Sequence, residues 1–197
     1  TLTVLPGNET ASVKSILVAG KEADTAQTGQ PVTIQLDKEI DVSRGCVLEN
    51  GSGITAAQKF TTTLLWMDDN KLSAGGDYFI KLGTKLITGT VTEITYKIDV
   101  NTGEHHSTDT LGKNEIAVCN IVLDEKIPLD VFKKHKTMGE LILINRVTNM
   151  TSACGVVESV DRSDEKPYFE KDNIRTGGYI FEEFYFNLEN AFLSKVN

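Results

Sequence analysis

The sequence predicts an all-β protein whose short strands close into barrels or sandwiches, set out as two small β domains and a C-terminal tail. Alternating apolar and polar runs, runs apolar on both faces, and turn residues between them all point this way. Val32-Thr33-Ile34-Gln35-Leu36 alternates as a strand with one buried face does, and Ile94 to Val100 repeats the pattern over a longer run. Thr61 to Met67 is rich in strand formers. Ile116 to Leu123 and Glu140 to Ile144 carry apolar residues on both faces, the pattern of strands packed inside a barrel or sandwich. Pro6-Gly7, Thr28-Gly29, Asn50-Gly51, Gly75-Gly76 and Asn101-Thr102-Gly103 supply the turns.

Glu49-Asn50-Gly51-Ser52-Gly53 is the one plausible internal linker, because its glycines and small polar residues resist regular structure. It divides a first domain at residues 1–50 from a second at 54–160, leaving an extension at 161–197. In that extension, Asp161 to Lys171 is charged and contains Pro167, as a solvated loop would. Tyr179 to Phe186 is the most aromatic stretch of the chain. Asn187 to Val196 has helical spacing, with Leu188, Phe192 and Leu193 on one face.

Hydrophobic residues make up 40% of the 197, enough to bury a core. Lys plus Arg total 20 against 28 Asp plus Glu, a formal charge of −8. That balance argues against sequence-independent nucleic-acid binding, which needs a basic surface to neutralise phosphates. Cys46, Cys119 and Cys154 are odd in number and widely spaced, which predicts reduced thiols and no disulfide framework. No apolar run reaches the roughly 18 residues that span a bilayer. The opening Thr1-Leu2-Thr3-Val4-Leu5 lacks the basic start of a signal peptide. The acceptor-like tripeptides at Asn8, Asn50 and Asn149 stand without other secretory signals. The expectation is a cytoplasmic protein with neither membrane nor nucleic-acid partner.

Chemistry-bearing motifs are sparse. A phosphate-binding P-loop needs Gly-x-x-x-x-Gly-Lys-Ser/Thr. Gly112-Lys113 runs on to Asn114, and Lys14-Ser15 has no glycine before it. Asp109-Thr110-Leu111-Gly112 has the spacing of a GTPase switch, which means little without that loop. His105 and His106 lie in a polar stretch with Glu104 and Asp109, and as neighbours on an extended segment they point apart. His135 sits in the basic cluster Lys133-Lys134-His135-Lys136, which reads as a solvated loop. Glu182-Glu183, set among aromatics, do not face one another on a regular element. The expectation is no catalytic residue, no metal ligand and no cofactor-binding residue in this chain.

Several blocks, taken in order, resemble a known family. Thr3-Val4-Leu5-Pro6-Gly7, Ser12-Val13-Lys14-Ser15-Ile16, Gly29-Gln30-Pro31-Val32-Thr33 and Glu39 to Gly45 resemble the second domain of the GTP-binding subunit of bacterial sulfate adenylyltransferase. Leu64-Leu65-Trp66-Met67, Lys97 to Thr102, Leu111 to Ile116 and Arg146 to Thr151 are similar to its third domain. Both domains are antiparallel β-barrels of the elongation factor Tu type.

The resemblance implies two translation-factor-type barrels, the first incomplete because the family pattern begins well before Thr3. Residues 179–186 of the tail, or a neighbouring chain, are then expected to cover its open edge, and homo-oligomers through exposed strand edges are possible partners. It implies a non-catalytic role: coupling a GTPase domain of the same full-length polypeptide to a separate catalytic subunit. That subunit joins ATP and sulfate into adenylyl sulfate and pyrophosphate, driven by GTP. GTP and Mg are expected on the GTPase domain, which has no counterpart here. Arg44, Asp99, Asn101, Asn114, Glu115, Arg146 and Asn149 match the family by position, as signature or interface residues expected mainly at turns and strand junctions. Two other readings remain: a translation-factor-like module binding RNA or protein, and the barrel region of a bifunctional sulfurylase and adenylyl-sulfate kinase.

Overall fold

The computed structural model describes residues 1–162. The tail segments at 163–197, including Tyr179 to Phe186 and the helix expected at Asn187 to Val196, lie outside the described residues. Residues 1–49 form six short strands: β1 (Leu2–Leu5), β2 (Glu9–Ala11), β3 (Val13–Val18), β4 (Lys21–Ala23), β5 (Thr33–Leu36) and β6 (Val47–Glu49). They pair as two three-stranded antiparallel sheets, ordered β2-β1-β6 and β4-β3-β5. Among the described residues neither sheet closes into a ring. Its buried hydrophobics are Val4, Leu5 and Ala11.

The rest is β7 (Thr55–Trp66), β8 (Leu72–Ser73), β9 (Gly76–Leu82), β10 (Lys85–Ile98), β11 (His105–His106), β12 (Thr110–Leu111), β13 (Ile116–Leu129), α1 (Lys136–Gly139), β14 (Glu140–Asn145) and β15 (Thr151–Asp161). The large sheet runs β11-β10-β13-β7-β15-β14-β9, and β9 also pairs with β10. That last pairing closes β10, β13, β7, β15, β14 and β9 into a six-stranded antiparallel barrel.

Alternation builds its interior. Phe60, Thr62, Leu64 and Trp66 of β7 point inward, with Ile80, Leu82, Val91, Ile121, Leu123, Leu141, Leu143 and Val157 from the other staves. Leu72 and Leu111, from the small β8–β12 ribbon, are fully buried with them. Each such side chain contributes about 1.5–3 kcal/mol by leaving water. Thr62 is the polar exception on β7; its hydroxyl donates to Val156 O at 2.8 Å, as a buried hydroxyl must.

The strands differ from the sequence expectation at their ends: β7 begins at Thr55 and β10 at Lys85, well before the runs expected from Thr61 and Ile94. The run expected to reach Val100 ends at Ile98, because Asp99 opens a turn there. The run expected to end at Leu123 continues to Leu129 past an irregularity in which Val122 faces Lys59 and Ile127 faces Ala57. The extra residues swell outward, and Gln58 Nε2 donates to Leu123 O across the gap at 2.6 Å. Among the described residues, β13 beyond that bulge pairs with β7 alone, since its ladder to β10 stops at Leu123. Pro128, which cannot donate to a ladder, is therefore tolerated on an edge-like stretch. The bulge also carries Glu125 to Lys85, at 2.8 Å, beside the turn that leads into β6.

Candidate functional site

Antiparallel alternation gathers the family-matched residues of the barrel at one rim. The end of β10, the start of β13, the end of β7, the start of β15 and the end of β14 all open there. Asp99 Oδ1 accepts from Asn101 N at 2.8 Å and Thr102 N at 3.2 Å, fixing the β10–β11 turn. Those amides are the first causes holding its carboxyl below the ordinary value. Asn114, at a φ of 65°, tolerates the left-handed turn before β13 and donates its amide to Trp66 O at 2.8 Å. Glu115 receives Lys97 Nζ at 2.9 Å and Gly112 N at 2.6 Å, which together hold its carboxyl low. Arg146 lies 5.6 Å over the Phe79 ring and 3.7 Å from Asp77, and Asn149, at a φ of 57°, turns β14 into β15.

Between these turns, Asp68 accepts from Ser152 Oγ at 2.7 Å and from Asn70 N at 3.0 Å. Its pKa is lowered, chiefly by the Asn70 amide and then by Ser152. Trp66 packs edge-on against Tyr78 and donates its indole N–H to Asn70 O at 2.8 Å. Burial, and then Asp68, pushes the Tyr78 phenol up. Asp68, Asp99 and Glu115 each accept from groups of the same rim. Arg44 stands apart, at the opposite end of the barrel, where Gly45 meets Lys85.

His105 and His106 form the two-residue strand β11, which replaces the loop expected for them; His105 stacks on Tyr96 at 4.0 Å. Among the described residues no group of three or more His, Cys, Asp or Glu is placed to hold a metal. His135 and Lys134 of the basic cluster are not simply solvated. They meet Asp130, buried to 2% exposure, at 2.7 and 3.2 Å, with Arg162 at 3.7 Å. Burial raises the Asp130 carboxyl, but His135, the Val131 amide and Lys134 outweigh it and hold the pKa low.

The barrel's concavity is on its outer wall. A groove of about 620 Å³ crosses β13, β7, β15, β14 and β9. Leu65, Ile116, Phe132, Ile142, Cys154 and Val156 give it an apolar floor, with Lys81 and Glu140 at its edges. Ile142 shows where the signal lay in the sequence. Glu140 to Ile144 is apolar on both faces; Leu141 and Leu143 fill the barrel, whereas Ile142 and Ile144 lie on the outer face. Ile142 and Ile144 thus leave a half-exposed apolar strip on the outer wall of a strand whose inner face is already packed.

Fold and surface together define a translation-factor-type β-barrel module. The chain belongs to the GTP-eEF1A C-terminal domain-like family, whose model matches residues 59–158, just over half of it. Sulfate adenylyltransferase subunit 1 of Saccharophagus degradans is 34% identical over 92% of this chain. The protein of the same name from Teredinibacter turnerae is 37% identical over 77% of it. The chain spans only 39% and 33% of the lengths of these two relatives. Crystal structures of sup35 with GDP and with GMPPNP share the fold at a TM-score of 0.73 and 19% identity, covering 81% of this chain and 40% of theirs.

Proposed function

We propose that this chain is the non-catalytic β-barrel region of a sulfate adenylyltransferase subunit 1. In this reading it couples the GTPase domain of a longer polypeptide to the catalytic subunit that makes adenylyl sulfate and pyrophosphate from ATP and sulfate. The observation that carries the reading is the apolar groove on the outside of a barrel whose inside is filled by side chains. Such a barrel offers a surface to a protein and no interior to a small substrate. The identity shared with subunit 1 proteins along most of the chain supplies the name of the partner class.

The occupied donors at Gly112-Lys113 support a reading in which this chain does not hold GTP. At Gly112-Lys113, which has the glycine-lysine step of a phosphate cradle, the Gly112 amide already donates to the Glu115 carboxylate at 2.6 Å. The Lys113 ammonium is paired with Asp69 at 2.7 Å. A phosphate there would meet occupied donors and two carboxylates. The reading therefore assigns GTP and Mg to the GTPase domain. Titration calorimetry tests it. The expected result is no heat with GTP and a saturable complex with the catalytic subunit; GTP binding by this chain, or no complex with that subunit, overturns it.

A further inference from the structure

We propose that the cleft between the Arg44–Gly45 turn and the β9–β10 hairpin docks an acidic segment of a partner protein. The inference rests on the docking role above, the partner being the enzyme's other subunit. The cleft holds about 530 Å³ and is lined by Arg44, Lys81, Thr84, Lys85, Leu86 and Ile144. Three cations and no carboxylate line it, in a chain with 28 acidic and 20 basic residues. Lys85 is already bound to Glu125 at 2.8 Å. Among the described residues, no carboxylate lies within ion-pair distance of Arg44 or Lys81.

The cations are held ready. Gly45 adopts a φ of 101°, and Cys46 N donates to Ser43 O at 3.0 Å, so the turn bearing Arg44 is shaped before any partner arrives. A Cβ on Gly45 would stand 2.7 Å from Lys85 Cδ, so turn and hairpin are in close contact. Leu86, 55% exposed, and Ile144 add an apolar wall. Lys81 also edges the outer groove, which makes cleft and groove one continuous surface. A guanidinium fork takes a carboxylate through two parallel hydrogen bonds, and an unpaired ammonium takes a second one. The apolar wall then suits the side chain of an acidic protein segment. A nucleic acid is the wrong occupant, because its phosphates need a broad basic surface and the cleft offers only three cations.

The test is calorimetric titration of the other subunit with the wild-type chain and with the Arg44→Glu/Lys81→Glu variant, at low and high salt. Both side chains are exposed, so the variant should melt as the wild type does. Should the double reversal unfold, Arg44→Gln with Lys81→Gln replaces it. The expected result is an affinity about tenfold weaker in the variant, and a wild-type affinity that falls with salt. Equal affinities overturn this inference and leave the docking role standing; no complex with the wild-type chain overturns both. Single-stranded RNA bound through Arg44 and Lys81 would assign the cleft to nucleic acid and overturn the proposal as well.

Discussion

Asp130 shows what a single side chain contributes here. Its carboxylate is buried, yet it reaches His135, Lys134, Arg162 and the Val131 amide, so the segment after β13 is pinned to the end of β15. Asp130→Asn should lower unfolding stability by about 1–3 kcal/mol, because it removes the charge that several donors were arranged around. The sign of the pH effect follows from the depressed pKa. Stability from this group is fully present above the ordinary aspartate value of 3.8 and is lost as pH falls through its lower value in the fold. Urea titrations at neutral pH and near pH 3 should therefore differ less in the variant than in the wild type. Nothing local in the sequence announced this cluster. Lys133 to Lys136 is a basic run by composition, and the carboxylate that organises it becomes buried only when β13 and β15 join the same barrel. Cys119 behaves differently. Fully buried, its thiol is pushed up to about 12, so the expected reduced cysteine is also an unreactive one.

At the scale of strands, packing explains which runs were legible. β5, β10, β13 and β14 announce themselves by alternation or by continuous apolar residues. β15 does not, since Ala153, Gly155 and Glu158 are weak strand formers. Gly155 is there for a neighbour's sake. A Cβ at that position would stand 2.5 Å from Leu64 Cδ2 and 2.6 Å from Thr63 O, on the strand it pairs with. Gly155→Ala should consequently cost about 1–3 kcal/mol, read as a lower midpoint of thermal unfolding. An alanine there that left the midpoint unchanged would show that β7 and β15 separate more easily than the close contact implies. The bulge in β13 was equally hidden, because Asp124, Glu125 and Lys126 look like a loop until Ile127 resumes the pairing.

Over the molecule, the two halves differ in how they are held. The six-stranded ring encloses the large apolar cluster, whereas the sheets of residues 1–49 contribute only Val4, Leu5 and Ala11 as buried hydrophobics. Hydrogen exchange should accordingly divide the chain. Amides of β7 and β13 should exchange only with global unfolding, and those of β3, β4 and β5 much earlier. Uniform protection across residues 13–36 would contradict that division. The fold class was legible from local patterns, and the family from blocks kept in order. The candidate surface was legible only in part. The groove showed as two-faced apolar runs, but the cleft beside Arg44 joins residues far apart in sequence, which no periodicity can pair.

Closure of the ring has one more consequence. Thr55 begins the first barrel strand and Asp161 ends the last, and these strands are direct neighbours, with Asp161 opposite Lys59. A short peptide could join those two points while the backbone is cut instead at the Arg146–Asn149 bend. Residues 55–161 rewired in this way would retain every ladder among the six barrel strands, so this barrel is a cassette whose reading order is free although its architecture is fixed.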